Sequence, residues 1–382
     1  MAEAQKRLMS LDILRGVAVA GMLLVNSPGS WEYIYPPLDH AKWNGWTPTD
    51  LVFPSFLFCV GAASALSLGK PRPGEKLRIA RRALTLVLLG LFLQLLPNFD
   101  FAHLRFPGVL QRIGLCYAAG AYLFMLTAKR DGEGARTANI FPIAGIIAFL
   151  LIGYWALLTF VPVPGFGPGH LDSLGSLPAY IDRQVFTLDH IWIYGTTEGH
   201  GVTYDPEGLL STLPALANVL FGMIAARIAQ RDAAAKTWAP VLGLGIVLIV
   251  VGLALHPYFP LNKRIWTSSF ALFSSGATMA LFGVLIFAAQ APLTVRVAYP
   301  FRVLGGNAIL AYVIAWLMEI GAGLPLISTP NGPVGLQTWT FNQVHAVVAD
   351  PYQASVICAL MVVSFITLLL IPLNARGIYL RL

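Results

Sequence analysis

Ten long apolar stretches divide this 382-residue sequence, and each can cross a lipid bilayer as a helix. About 20 apolar residues, at about 1.5 Å of rise per residue, span the hydrocarbon layer of a membrane. We therefore predict an all-α integral membrane protein, a bundle of about ten transmembrane helices. The predicted spans are 11–28, 48–69, 77–96, 108–127, 140–160, 208–229, 238–255, 267–290, 302–321 and 354–373.

The composition excludes the soluble alternatives. Only 11% of the residues are charged and 57% are hydrophobic, whereas a soluble domain carries about 25% charged residues. A disordered chain, a coiled coil and an ordinary cytosolic enzyme are all excluded on this ground. No internal repeat divides the sequence, so we predict one domain over residues 1–382. The net charge of +7 does not indicate nucleic-acid binding, because the cations lie in short loops between apolar runs.

The distribution of Lys and Arg predicts the orientation of the chain. Of the 25 Lys and Arg, 18 fall on the side of the N-terminus and 5 on the other side, with Arg15 and Arg112 inside spans. The positive-inside rule therefore places both termini in the cytoplasm. The long loops 29–47, 161–207 and 322–353 lie outside, together with all seven histidines. We expect the chemistry or binding on that outer side.

Polar residues inside the apolar runs form two predicted layers, and each is costly to bury in a membrane. Asp12 and Arg15 can pair because they are spaced i,i+3 on the first span, and their charges argue against a cleaved leader there. Arg15 and Asn26 are separated by roughly 16 Å along one helix, so a ligand that reaches both must be elongated, as coenzyme A is. The inner layer is Asp12, Arg15, Arg302 and Asn307; the outer is Asn26, Asp50, Arg112, Ser268, Ser269 and Glu319.

His40 is the candidate general base. It lies in an outer loop rich in Trp, Tyr and Pro, and Asp50, at the start of the next helix, can orient its imidazole. An imidazole suits the removal of a proton from an amine or hydroxyl nucleophile. Asn26 offers a neutral NH₂ group to a developing oxyanion. The alternative for a lone loop histidine is a solvated or packing residue.

Three structural alternatives stay open at this point. Arg112 can pair with Asp50 or Glu319 at the same depth. The aromatic residues of loop 29–47 can form an interfacial belt or a platform for a sugar ring. The histidines and nearby acids lack the spacing of metal ligands, so we expect no metal site.

Several motifs together resemble a known family. The stretch Arg7–Gly16 is similar to the opening motif of membrane acyltransferases. The chain as a whole, from about residue 7 to beyond 312, resembles heparan-α-glucosaminide N-acetyltransferase and its bacterial relatives. The stretches that carry this resemblance are His40–Gly45 with Asp50–Pro54, Pro107–Arg112, Tyr204–Gly208, Asn262–Ser268 and Gly306–Asn307.

The resemblance implies a reaction and its residues. An acetyl group passes from cytosolic acetyl-CoA to the amine of a glucosamine unit on the far side of the membrane. His40 and Asn26 match the family's active-site histidine and asparagine, and we add Asp50 as the partner of His40. We expect the donor near Arg15, Asn307, Arg112, Gln111 and Ser268, and the acceptor near Trp43, Asn44, Asp182 and Glu207.

The resemblance leaves the acceptor and the route open. The ten-span form is typical of bacterial members, so we expect the bacterial inner membrane, with the active site facing the periplasm. The acceptor is an amino sugar or an oligosaccharide, a homodimer is allowed for, and transfer is direct or passes through an acetyl-His40. The alternatives are an O-acyltransferase for an envelope polysaccharide and an amino-sugar transporter.

Overall fold

The computed structural model describes residues 2–230, 237–330 and 332–380, with side chains from residue 9 onward. Five of the cations counted above fall outside this description. They are Arg231, Lys236 and Arg381, and the side chains of Lys6 and Arg7. Helices dominate the described residues. In chain order they are α1 (Ala2–Asn26), α2 (Val52–Ser67), α3 (Glu75–Leu95), α4 (Val109–Thr127), α5 (Ile140–Phe160), α6 (Leu177–Phe186), α7 (Thr212–Gln230), α8 (Trp238–Leu255), α9 (Ser268–Ala288), α10 (Pro292–Val297), α11 (Tyr299–Gly306), α12 (Ala308–Gly323), α13 (Leu336–His345) and α14 (Pro351–Ala375).

The strands are short and confined to loops. In the described residues they form three antiparallel hairpins, each of two strands. The first lies in a predicted inner loop, and the other two lie in the predicted outer loops 161–207 and 322–353. They are β1 (Lys129–Arg130) with β2 (Arg136–Thr137), β3 (Thr196–Thr197) with β4 (Gly201–Val202), and β5 (Ile327–Thr329) with β6 (Gly332–Val334).

The all-α membrane class is confirmed. Each of the ten predicted spans is helical. Eight helices of the described chain are long and apolar enough to cross a membrane, or nine if α11 and α12 count as one span. The remaining predicted span is α3, which carries Arg78, Arg81 and Arg82 in its first half. The orientation of the termini stays a prediction.

The ninth predicted span is not one straight helix. The sequence predicts a single span over 302–321, whereas α11 and α12 meet at an angle of 85°. Asn307 forms the joint, with φ −123° and ψ 38°. The joint follows Gly305, whose Cα approaches α1 so closely that a Cβ there would lie 2.0 Å from the Asp12 carbonyl oxygen. The bend therefore lies where backbone packs directly on backbone, which apolar patterning does not reveal.

Local sequence sets where several helices begin. Asp350 caps α14 by accepting a hydrogen bond from the Tyr352 N–H at 2.9 Å, and Pro351 fills the first helical position. In contrast, α5 follows Asn139, whose side chain makes no cap. The first N–H groups of α5 therefore receive no side-chain cap.

Backbone contacts divide the described residues into two compact units, which we describe separately. The first contains residues 2–41, 46–52 and 288–380, and the second contains 42–45 and 53–287. The assignment of 1–382 as one domain stays a prediction.

The first unit is built around α1. Its closest neighbour is α11, and α12 and α14 also pack against it. The first part of loop 29–47, residues 29–41, is tied to this unit by two contacts. The Tyr35 hydroxyl donates to Asp350 at 3.1 Å, and the N–H of Gly29 donates to the Ser355 carbonyl at 3.1 Å. The first unit thus fixes both the end of α1 and the loop that follows it.

The second unit is built around α7. Most side chains of α7 are buried, and α5, α4 and α8 pack against it. By contrast, α5 and α8 are apolar throughout and largely exposed, as expected of helices that face lipid. Loop 161–207 also belongs to this unit and contains α6.

Candidate active site

The first unit brings His40 and Asp50 into direct contact. The His40 Nδ1 lies 2.7 Å from the Asp50 Oδ1. The carboxylate is buried, whereas the imidazole is 31% exposed, so a substrate can reach the ring. Because the carboxylate accepts a hydrogen bond from Nδ1–H, the lone pair of the neutral ring lies on Nε2. This is the arrangement of an oriented general base.

Asp50 is held in place by the turn that contains it. Residues Pro48–Leu51 form a 3₁₀ turn with Thr47 as its N-cap, and Thr47 and Asp50 form a reciprocal capping box. The Asp50 Oδ2 accepts the N–H groups of Thr47 and Ala41 at 3.0 and 3.1 Å. One carboxylate oxygen therefore closes the loop while the other orients the imidazole. Threonine followed three residues later by an acid is the sequence signal of this turn.

Asn26 is the last residue of α1 and is exposed. It belongs to the first unit, as His40 and Asp50 do. Its position at a helix end, next to the loop that carries His40, fits the predicted outer polar layer. Its role as a donor to an oxyanion stays a prediction.

Arg15 and Asn307 meet the same end of α11. The Arg15 Nη1 donates to the Gly305 carbonyl at 3.0 Å, and its Nη2 lies 3.6 Å from the Asp12 Oδ1. The predicted Asp12–Arg15 pair is confirmed. Asn307 is buried; its Oδ1 accepts the Leu380 N–H at 3.3 Å, and its Nδ2 has no partner among the described residues. This end of the first unit thus holds a partly exposed cation and a buried amide donor.

Trp43 and Asn44 belong to the second unit. The Trp43 indole N–H donates to the Leu171 carbonyl at 2.8 Å, and its ring meets Tyr204 edge-to-face at 5.1 Å. The Asn44 Oδ1 accepts a hydrogen bond from the Asn262 Nδ2 at 3.1 Å. The segment after His40 is therefore joined to loop 161–207 and to the motif that begins at Asn262. Trp43 is half-buried and Asn44 is exposed.

Arg112 and Asp182 bind the same peptide unit from opposite sides. The Arg112 Nη2 donates to the Gly208 carbonyl at 2.9 Å, and the Asp182 Oδ1 accepts the Leu209 N–H at 2.8 Å. Both side chains are buried. The position requires glycine, because a Cβ on Gly208 would lie 1.8 Å from the Asp182 Oδ2.

Burial has the largest effect on the pKa of the Asp182 carboxyl. Desolvation raises the pKa of its carboxyl to about 7, against the opposing effects of the Leu209 N–H and Arg112. Its Oδ2 has no hydrogen-bond partner among the described residues. Asp182 is therefore a buried carboxyl that titrates near neutral pH.

Glu207 is engaged by Arg105, a residue that the sequence analysis did not select. Arg105 donates through Nε to the Asp205 Oδ2 at 2.7 Å and through Nη2 to both Asp205 and Glu207. Burial opposes ionisation of Glu207, but Arg105 and the other nearby cations outweigh it and lower its pKa. In the same way the two carboxylates outweigh burial and raise the pKa of Arg105. Arg105 and Glu207 are therefore both charged at neutral pH.

Arg112 contacts neutral groups of its own unit, and its pairing with Asp50 or Glu319 of the first unit stays a prediction. Its hydrogen-bond acceptors in the described structure are neutral, the Gly208 carbonyl and the Ser211 hydroxyl, and its guanidinium lies 5.1 Å above the Trp266 ring. A buried arginine can be satisfied by carbonyl and aromatic partners, which apolar-run analysis cannot anticipate. The Nε and Nη1 atoms of Arg112 have no partner among the described residues.

Gln111 and Ser268 are buried in the second unit but point to other neighbours. The Gln111 carboxamide lies against Gly90 of α3, at 2.3 Å from the position that a Cβ on this glycine would occupy. The Ser268 hydroxyl donates to the Leu151 carbonyl of α5 at 2.7 Å. These contacts join helices, and the predicted roles of both residues with the donor stay predictions.

A polar cluster that was not predicted above lies between α7 and α9. The Asn218 Oδ1 accepts the Trp266 indole N–H at 3.0 Å, and its Nδ2 donates to the Ser274 and Ser275 hydroxyls at 3.1 and 2.8 Å. The sequence does carry a signal for this cluster, because an asparagine within an apolar span is costly to bury and needs hydrogen-bond partners. Among the described residues, no three His, Cys, Asp or Glu side chains are grouped as metal ligands.

Comparison with known proteins identifies the family. The family profile described as "Heparan-alpha-glucosaminide N-acetyltransferase, catalytic" matches residues 7–259. The human heparan-alpha-glucosaminide N-acetyltransferase is 32% identical, over 80% of this chain and 52% of its own length. The mouse protein of the same name is 30% identical, over 80% of this chain and 53% of its own length.

The chain thus spans about half the length of the curated relatives it matches. The profile covers Arg15, Asn26, His40, Asp50 and the motif residues as far as Glu207, but it ends before Ser268 and Asn307. The resemblance inferred from the motifs is confirmed. The chain belongs to the heparan-alpha-glucosaminide N-acetyltransferase family.

Proposed function

We propose that this protein is a membrane N-acetyltransferase that moves the acetyl group of acetyl-CoA to the amine of a glucosamine-type sugar. The observation that carries the proposal is the contact of 2.7 Å between His40 and the buried Asp50. Membership of a family whose named relatives are N-acetyltransferases supports the reaction type.

The chemistry follows from the oriented imidazole. The neutral amine of the acceptor attacks the thioester carbonyl, and His40 Nε2 takes the proton that the nitrogen must lose. The Asn26 amide donates to the oxyanion of the tetrahedral intermediate. Collapse of the intermediate breaks the carbon–sulfur bond, and the imidazolium returns the proton to the CoA thiolate. The products are the N-acetylated sugar and free CoA.

Two routes share these residues. In direct transfer both substrates are bound together, and their proximity supplies much of the rate enhancement. In the two-step route the acetyl group rests on His40 before the amine arrives. Rapid quenching of the protein with labelled acetyl-CoA and no acceptor separates them, since only the two-step route gives labelled protein at His40.

We assign the donor to Arg15 and Asn307 in the first unit, which present a guanidinium and a buried amide with an unpartnered Nδ2. Gln111, Arg112 and Ser268 in the second unit remain further donor candidates. We place the donor on the cytosolic side and the acceptor on the periplasmic side of a bacterial inner membrane, following the charge distribution of the loops.

The acceptor is assigned to the second unit. Trp43, partly exposed and packed on Tyr204, offers an aromatic surface to a pyranose ring, and the exposed Asn44 offers an amide. Glu207 holds a negative charge that suits the ammonium form of an amino sugar. Asp182 can hold or release a proton near neutral pH.

The test is acetyl transfer by the purified protein in detergent. The donor is labelled acetyl-CoA, and the acceptors are glucosamine, a chitosan oligomer and a non-amino sugar. We expect a base-stable amide on the amino sugars, and a loss of about 10²- to 10⁴-fold in His40→Ala. His103→Ala is the matched control, because His103 also lies 2.7 Å from a carboxylate, that of Asp100, but both side chains are exposed.

Other outcomes overturn the proposal. A base-labile ester on hydroxyl acceptors alone makes the protein an O-acyltransferase. Uptake of amino sugar into vesicles without an acetyl donor, together with no transfer, makes it a transporter. Normal turnover in His40→Ala removes His40 from the mechanism.

A further inference from the structure

A small cleft opens at the surface of the second unit where three helix ends meet. The helix ends are the C-terminus of α4, the N-terminus of α5 and the C-terminus of α7. None of the residues that line it is one assigned above to donor or acceptor. Its lining residues are Lys129, Ala138, Asn139, Ile140, Phe141 and Arg227.

Both ionisable groups that line the cleft are cations. Lys129 and Arg227 have no carboxylate within ion-pair distance in the described part of the chain. Two nearby acids are already engaged: Glu75 lies 2.6 Å from Arg136, and Asp131 accepts the N–H groups of its own turn, including that of Ala135 at 2.8 Å. Among the described residues, neither cation of the cleft is therefore held in an ion pair with a carboxylate.

The start of α5 adds to the positive potential around the cleft. Asn139 precedes the helix without a side-chain cap, so the positive end of the helix dipole faces the cleft. Two cations and a helix N-terminus around one cleft suit a phosphate group.

The other side of the cleft is apolar and continues along the membrane-spanning surface of α5. Phe141 is 81% exposed. Beyond it, Gly145 is exposed, and a Cβ placed there would meet no atom within 4 Å. Ala144 and Ala148 are also exposed on this face. Because these residues are smaller than Phe141 and Phe149 on either side of them, the helix surface between the two rings is recessed, and we call this recess the Ala144–Gly145–Ala148 groove.

We propose that this cleft binds the headgroup of an anionic phospholipid, with Lys129 and Arg227 on its phosphate and an acyl chain along the Ala144–Gly145–Ala148 groove. The continuity of a cationic cleft with an exposed apolar helix face favours a lipid over a soluble phosphate. Basic clefts between the ends of membrane helices are typical sites of this kind. The inference is independent of the proposed catalytic function.

The experiment measures the melting temperature of the purified full-length protein in neutral detergent during titration with dioleoylphosphatidylglycerol. Dioleoylphosphatidylcholine is the control lipid. We expect the anionic lipid to stabilise the protein saturably and the zwitterionic lipid to have a much smaller effect. In the double variant Lys129→Ala, Arg227→Ala, the lipid concentration at half-saturation should rise by roughly 25-fold, about 5-fold for each cation.

Two control variants keep the proposal falsifiable. Arg78→Ala with Arg130→Ala removes two exposed cations outside the cleft, and it should leave the titration unchanged. Gly145→Leu fills the groove without touching the charges and should weaken lipid binding alone, since open space surrounds this position.

Three results overturn the proposal. The first is equal stabilisation by both lipids. The second is an unchanged titration in the Lys129→Ala, Arg227→Ala variant. The third is equal stabilisation by inorganic phosphate or CoA without lipid, which would make the cleft a site for a soluble phosphate.

Discussion

Arg112 and Asp182 bind the carbonyl and the N–H of one peptide unit, the one that joins Gly208 to Leu209. A buried cation and a buried carboxyl thus meet through the dipole of a peptide rather than as an ion pair. Arg112 comes from α4 and Asp182 from α6, so this peptide joins a membrane helix to the long loop 161–207. It also fixes the backbone next to Glu207, the proposed partner of the acceptor.

The contact with the peptide predicts that Gly208 cannot be replaced. In Gly208→Ala the new methyl group would lie 1.8 Å from the Asp182 Oδ2 and 2.4 Å from its Cγ, so the carboxyl must move. We expect a loss of about 1–3 kcal/mol in the free energy of unfolding, as for other overpacked interiors. Thermal unfolding in detergent measures it. Gly145→Ala is the control, since a methyl group there meets no atom within 4 Å, and equal melting temperatures for the two variants would contradict the prediction.

Asp182 predicts a pH dependence of stability. The pKa of its carboxyl is raised to about 7 in the folded protein, against about 3.9 in an unfolded chain. The folded state therefore keeps this proton to higher pH than the unfolded state. The contribution to stability is complete below about pH 4 and is lost as the pH rises through about 7.

Melting temperatures measured between pH 4 and pH 8 test this dependence. Asp182→Asn should flatten the profile, because an amide can still accept the Leu209 N–H but does not titrate. Asp189→Asn, an exposed acid of the same loop, should leave the profile unchanged. A profile that is the same for all three proteins would remove Asp182 as its cause.

The Asp50 contacts predict a specific defect in Asp50→Asn. The N–H groups of Ala41 and Thr47 both donate to one oxygen of this side chain, so the amide oxygen keeps that place and its NH₂ group faces His40 Nδ1. Nδ1 must then accept, the proton moves to Nε2, and the ring can no longer act as a base there.

We expect kcat for acetyl transfer to fall by about 10²- to 10⁴-fold in Asp50→Asn, with little change in KM for acetyl-CoA. Asp39→Asn is the matched control, because Asp39 accepts the backbone N–H of His40 at 2.7 Å, not the ring proton. Retention of normal kcat in Asp50→Asn would show that the carboxylate does not set the tautomer.

The position of Arg15 predicts that its substitution changes the binding of acetyl-CoA and leaves the chemical step unaffected. If its guanidinium contacts a phosphate of the donor, Arg15→Ala should raise KM for acetyl-CoA by about 10-fold or more while kcat changes little. Asp12→Asn removes the competing partner at 3.6 Å and should leave KM unchanged or lower it. Steady-state kinetics with varied acetyl-CoA measure both, and an unchanged KM in Arg15→Ala would leave Arg15 only its structural contacts with Gly305 and Asp12.

Local sequence was sufficient for the membrane class, the helical segments and the His40–Asp50 pair. Apolar runs of about 20 residues have few alternatives in a bilayer, and all ten are helical, the ninth as two helices. His40 and Asp50 are close in the chain, and the capping box that joins Thr47 to Asp50 is itself a local signal. The Asp12–Arg15 pair follows from helical spacing alone.

Only the tertiary structure decided which polar groups meet across the chain. Arg105 pairs with Asp205 and Glu207, about a hundred residues away, and Arg112 binds the Gly208 carbonyl at a similar separation. The bend at Asn307 lies next to the close packing of α11 on α1, which the apolar pattern does not reveal. Hydropathy depends on residues that are neighbours in sequence, whereas the partners of a buried charge are set by which helices pack together.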